Sequence, residues 1–165
     1  MDKPIILVVD DEPEIAKYFV DVINENGRYA AISAYSAKEA LDLLNKYRKL
    51  LGLAGNKIKL ILLDIKMPEM DGLQFLEAMR RQYNEEQIGV IMLTAYEDAD
   101  KWDRATSGLV SGYLKKPVAK EDLLASIERF FSSPSARDEM TVDTFKKHID
   151  KKEEFEFEAR HKEIK

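Results

Sequence analysis

The sequence predicts a doubly wound α/β protein: a five-stranded parallel sheet with helices on both faces, followed by a charged C-terminal helical extension. Three observations predict it. Short runs rich in Val, Ile and Leu recur along the chain, too continuously apolar for strands with one wet face. Segments with helical spacing of apolar residues separate them, so strand and helix alternate five times. The alternation stops at Ser132-Ser-Pro-Ser135, a break in composition beyond which charged residues dominate. Residues 1–132 are expected to form one domain and residues 133–165 a charged, helical tail or linker.

Ile5 to Val9 is β-branched and apolar and predicts the first strand, ended by Asp10-Asp11-Glu12. Pro13 suits the first position of a helix, whose inward face is Ile15, Phe19, Val22 and Ile23 and whose end is Gly27. Tyr29 to Ser33 predicts a second strand. Ser36 and Glu39 have capping-box spacing, ahead of the helical face Ala40, Leu41, Leu43, Leu44 and Tyr47. Gly52 to Asn56 reads as a loop and Ile58 to Leu63 as the third strand. Asp71 and Gln74 repeat the capping pattern before a helix carrying Leu73, Phe75, Leu76 and Met79. Ile88 to Leu93 predicts the fourth strand, Glu97 to Thr106 a fourth helix, and Gly112 to Leu114 a brief fifth strand. Lys120 to Phe131 predicts a fifth helix with Leu123, Leu124, Ile127 and Phe130 inward.

Beyond the break, residues 134–165 hold eight basic and nine acidic residues. Asp143/Lys147, Glu156/Arg160 and Glu158/Lys162 have the spacing of helical ion pairs. Val142, Phe145 and Ile149 form a weak apolar stripe, interrupted by Lys152 and Glu156. Glu154 to Glu158 alternates with period two, which leaves the end of the tail ambiguous between helix and strand.

Composition narrows the function. The chain has 165 residues, 45% hydrophobic and 35% charged, with a net charge of −5. A mildly acidic chain lacks the concentrated basic field that nucleic acid or an anionic membrane requires. The absence of cysteine excludes disulfides, thiolate catalysis and cysteine zinc sites. The N-terminal apolar run is too short for a signal peptide or a membrane span. A cytoplasmic protein is expected.

The polar residues gather where the topology would bring them together. Asp10 and Asp11 follow the first strand, Asp64 the third, Thr94 ends the fourth and Lys116 follows the fifth. All stand at carboxyl ends of parallel strands, where open α/β sheets bind ligands. Three carboxylates in one place repel one another. A hard divalent cation relieves that, and carboxylate and carbonyl oxygens favour Mg²⁺. Such a set suits phosphoryl transfer to a carboxylate, with the cation and a lysine neutralising the oxygens of the transferring group.

Over roughly residues 3–131 the sequence resembles the receiver domain of bacterial two-component response regulators. The resemblance is carried by VVDDE at Val8–Glu12, LLDIKMPEMDG at Leu62–Gly72, MLTA at Met92–Ala95 and GYLKKP at Gly112–Pro117. It implies a flavodoxin-like sheet of order 2-1-3-4-5. It also implies that Asp64 is the phosphoacceptor. Asp11, Asp64 and the main-chain carbonyl of Lys66 would bind Mg²⁺ directly, and Asp10 through water. Thr94 and Lys116 would hold the phosphoryl oxygens, and a cis bond would join Lys116 to Pro117. Tyr113 matches the aromatic switch position, whose ring would move inward when Thr94 is drawn to the phosphate. The implied phosphoryl donor is a histidine kinase or a histidine phosphotransfer protein.

Other readings are weaker. A dehalogenase-type phosphatase needs a second aspartate two positions after the nucleophile, where this chain has Lys66. A passive module that only retains the fold would not need the complete acidic set with Thr94 and Lys116. Met67 and Met70 read as loop packing, Trp102 as packing on the fourth helix, and His148 and His161 as solvated. The segment from Lys46 to Leu60 is longer than the family usually allows, and Arg104 to Tyr113 departs from the family's small-residue approach to the fifth strand. The large ring of Tyr96, two residues after Thr94, is expected to shield a phosphoryl group and lengthen its lifetime relative to Tyr96→Ala. The tail is expected to be a solvated extension, a linker to an output domain, or an arm that dimerises or docks a partner.

Overall fold

The computed structural model describes residues 2–49, 56–95 and 110–163. Five strands form one parallel sheet: β1 (Ile5–Val9), β2 (Ala30–Ala34), β3 (Ile58–Asp64), β4 (Gly89–Thr94) and β5 (Gly112–Lys115). Their order is β2-β1-β3-β4-β5. The described helices are α1 (Pro13–Asn26), α2 (Ala37–Lys49), α3 (Gly72–Arg80), α4 (Lys120–Ser132) and α5 (Pro134–Glu163). The helix expected over Glu97–Thr106, with Tyr96 and Trp102, lies outside the described residues, as do Gly52 to Gly55 of the expected loop.

The central strands β1, β3 and β4 are buried on both faces because alternate side chains go to opposite layers. Leu7, Val9, Ile61, Leu63, Val90 and Met92 pack against α2 and α3 through Ala40, Leu44, Leu73, Leu76 and Met79. Ile6, Val8, Leu60, Leu62, Ile91 and Leu93 pack against α1 and α4 through Phe19, Ile23, Leu123, Ile127 and Phe130. The sheet is thus held between two layers, and its polar groups are confined to the strand ends.

Local chemistry fixes the helix ends. Pro13 opens α1, and Gly27 closes it at φ 78°, its N–H donating to the Asn24 carbonyl. At α2 the Glu39 N–H donates to Ser36 Oγ (3.1 Å), while the Glu39 carboxylate accepts from the Tyr35 N–H (2.8 Å) instead of from Ser36. At α3 the capping box is complete: the Gln74 N–H donates to Asp71 Oδ1 and the Asp71 N–H to Gln74 Oε1. Asn56, buried before β3, donates to the Leu44 carbonyl and accepts from the Ile58 N–H, tying the start of β3 to α2.

The tail resolves one ambiguity of the sequence reading and corrects one expectation. It is one helix throughout its described length, so the period-two pattern at Glu154 to Glu158 does not make a strand. Its inward face is also not the apolar stripe: Val142, Phe145 and Ile149 are exposed, whereas Met140, Thr144 and His148 are buried. His148 was expected to be solvated but faces inward because it lies four and eight residues after Thr144 and Met140, on the side of α5 that meets β5 and α4. His161 is exposed. Asp143 pairs with Arg129 of α4 (2.8 Å).

Candidate functional site

The carboxyl ends of β1, β3, β4 and β5 meet at one edge of the sheet. Parallel register places Asp64 beside Leu93, and Thr94 beside Lys115. The Lys116 N–H donates to the Thr94 carbonyl (2.8 Å), which ties the turn after β5 to the end of β4. The Lys116–Pro117 bond is cis. The expected residues therefore converge.

Asp10 is fully buried, and both its oxygens are used. Oδ1 accepts from the Glu12 N–H (3.0 Å) and Oδ2 from Lys116 Nζ (2.7 Å). Lys116 Nζ also stands 3.3 Å from Asp64 Oδ1. Carboxylate oxygens of Asp10, Asp11 and Asp64 lie within 4.8 Å of one another. Three hard oxygen donors this close fit a small divalent cation, and Lys116 only partly offsets their charge. Asp64, Lys66, Thr94 and Lys116 line an open cleft with Glu12, Ile65 and Ala95.

Burial is the main influence on Asp64. It raises the carboxyl from 3.8 to about 6, the Lys116 charge opposing it and Asp10 adding to it. For Lys116, burial works against the charged form. The hydrogen bond to Asp10 and the charges of Asp64 and Asp10 outweigh burial, so the ammonium is held above its ordinary value.

The turn after β3 brings Asp64 to this edge. The Gly72 N–H donates to the Ile65 carbonyl (2.8 Å), and a Cβ on Gly72 would stand 2.1 Å from the Asp64 carbonyl oxygen. Only glycine allows that approach. Within the turn Glu69 holds φ at 66°, a left-handed conformation rare outside glycine.

Tyr113 is half-buried on β5, where it packs against the core on the α2–α3 side. It does not line the cleft at Asp64. It borders a second cavity, between β5, α4 and α5, which Thr94 also lines. The sequence did not place α5 beside Thr94. The available signal was the spacing of Met140, Thr144 and His148, in which two of three residues are polar.

Fold and site together define a class. The sequence model of the response regulator receiver domain matches residues 6–128, and the chain belongs to that family. Its members are the phosphorylation-operated switches of two-component signalling. The chain is 29% identical to the transcriptional regulatory protein CitT of Halalkalibacterium halodurans over 126 residues, covering 76% of this chain and 51% of CitT. It is 30% identical to sporulation initiation phosphotransferase F of Bacillus subtilis over 125 residues, covering 76% of this chain and 91% of that protein. The solved CheY-like receiver domain protein of Methanospirillum hungatei aligns with a TM-score of 0.68 at 25% identity, over 86% of this chain and 99% of that one. The chain spans about half the length of CitT. Among the described residues, no helix is long and apolar enough to cross a membrane.

Proposed function

We propose that Asp64 accepts a phosphoryl group from a phosphohistidine of a histidine kinase or phosphotransfer protein, and that the acyl phosphate changes the surface offered to an output partner. One observation carries this reading: of the three clustered aspartates, Asp64 lines the open cleft, with Lys116 at 3.3 Å. Asp10 is buried with both oxygens engaged and is unsuited to attack.

A carboxylate oxygen of Asp64 attacks the phosphorus. The N–P bond breaks, its electron pair returns to the imidazole, and an O–P bond forms. Lys116 neutralises charge on the transferring oxygens, and the Thr94 hydroxyl donates to one of them. Asp11, Asp64 and the Lys66 carbonyl would hold Mg²⁺ directly and Asp10 through water. The ion would add positive charge at the same oxygens. Hydrolysis of the acyl phosphate restores the carboxylate, so the chemistry the domain catalyses is confined to its own Asp64.

Incubation with acetyl phosphate and Mg²⁺ tests the proposal. One phosphoryl group per chain is expected by intact mass, mapped to Asp64, with none in Asp64→Asn and none without a divalent cation. Incorporation that persists in Asp64→Asn would refute the assignment.

A further inference from the structure

α5 meets the domain along its first half. Met140, Thr144 and His148 face inward, and from Lys152 to Lys162 the helix is exposed. Met140 is its only buried apolar side chain among the described residues. The other contacts are polar. Thr144 Oγ1 lies 3.1 Å from the Ser111 carbonyl and Arg129 pairs with Asp143. The Arg137 guanidinium lies over the Phe130 ring (4.2 Å) and donates to the Glu86 carbonyl (3.1 Å). A helix seated by one buried apolar side chain, two buried polar ones and a half-exposed ion pair has few apolar contacts to hold it, and such elements belong to the low-stability end of a fold.

That seat shares residues with the acidic edge. The cavity beneath α5 is lined by Thr94, Ser111, Tyr113, Lys115, Met140 and Thr144, among others. Thr94 lines both this cavity and the cleft at Asp64. Lys115 borders the cavity, while the next residue, Lys116, reaches the other way to Asp10 and Asp64. β5 is therefore held at one end by the carboxylates and along its edge by α5.

We infer that α5 is a docked arm whose seat on β5 and α4 loosens when Asp64 carries a phosphoryl group. This rests on the reading of Asp64 as acceptor. The added oxygens and charge draw Lys116 away from Asp10 and the Thr94 side chain towards Asp64. Thr94 leaves space behind it. The cavity under α5 then loses the Thr94 side chain from its lining beside Tyr113. The helix then exchanges between docked and undocked populations, biased by the differing contacts of the two states.

Hydrogen exchange of the full chain, with and without acetyl phosphate and Mg²⁺, tests this, with intact mass counting phosphoryl groups in the same sample. Amides of residues 140–151 are expected to exchange about tenfold faster in the phosphorylated chain, within the usual range of coupling between sites. Residues 153–163 serve as the unchanged internal control. Thr94→Ala opens the same space without a phosphoryl donor and is expected to speed exchange of 140–151 about fivefold. Tyr113→Ala removes the wall itself and gives the same result should Thr94→Ala not fold. Unchanged protection in a chain that carries the phosphoryl group overturns the inference and leaves Asp64 as acceptor. A chain that takes up no phosphoryl group overturns the proposed function. The two variants then decide the coupling alone, and unchanged exchange in them overturns it.

Discussion

Asp64 lines a cleft that a ligand can enter, yet is itself buried in an environment that disfavours its charge. In the absence of a cation its carboxyl titrates near 6, against 3.8 ordinarily, because burial outweighs the help of Lys116. The native state thus binds the proton more tightly than the unfolded chain. Its contribution to stability is full below about pH 4 and is lost as pH rises through about 6. Asp64→Asn is therefore expected to stabilise the cation-free protein by on the order of 2 kcal/mol at pH 7.5, with little gain at pH 4. Urea unfolding at the two pH values, in chelator, measures this. Lys116→Met is expected to do the reverse, since Asp10 would be left fully buried without its cation partner. A loss of about 3–5 kcal/mol is expected from the same measurement. Asp10 and Asp64 were legible in the sequence because each ends or interrupts an apolar run at a strand terminus, whereas Lys116 was told from Lys115 only by its place before Pro117 in the family motif. His148 was not, because its neighbours in sequence are charged and only its spacing from Met140 and Thr144 places it inward.

The turn from β3 to α3 is where an element is built to present one residue. Gly72 lets the backbone pass against the Asp64 carbonyl, so Gly72→Ala must displace the main chain that carries the site. A loss of about 1–3 kcal/mol is expected in chemical denaturation, with slower phosphorylation by acetyl phosphate. Glu69 lies in the same turn with a left-handed backbone. Glu69→Gly is expected to raise stability by about 0.5–1 kcal/mol, the conformational relief exceeding the added entropy of the unfolded chain. The elements themselves followed from period and punctuation. All five strands form within one or two residues of the expected ranges; for the central β1, β3 and β4, runs buried on both faces leave few alternatives. The face of α5 did not follow, since a helix with one apolar inward residue shows little amphipathic signal.

At the scale of the molecule, the proposed cation site at the acidic edge would link folding to ions. Mg²⁺ that binds the native state alone adds stability by mass action, about 2.7 kcal/mol at a hundred times its Kd. The melting temperature is expected to rise with Mg²⁺ concentration, and to lose that dependence in Asp11→Asn. The outer half of α5 has a different bearing. Its last twelve described residues form a rod about 18 Å long that stands clear of the sheet while its root rests on β5. Such a rod works as a lever: a tilt of about 15° at the root sweeps the tip through about 5 Å. A displacement too small to notice at the acidic edge would therefore arrive magnified at the far end of this helix.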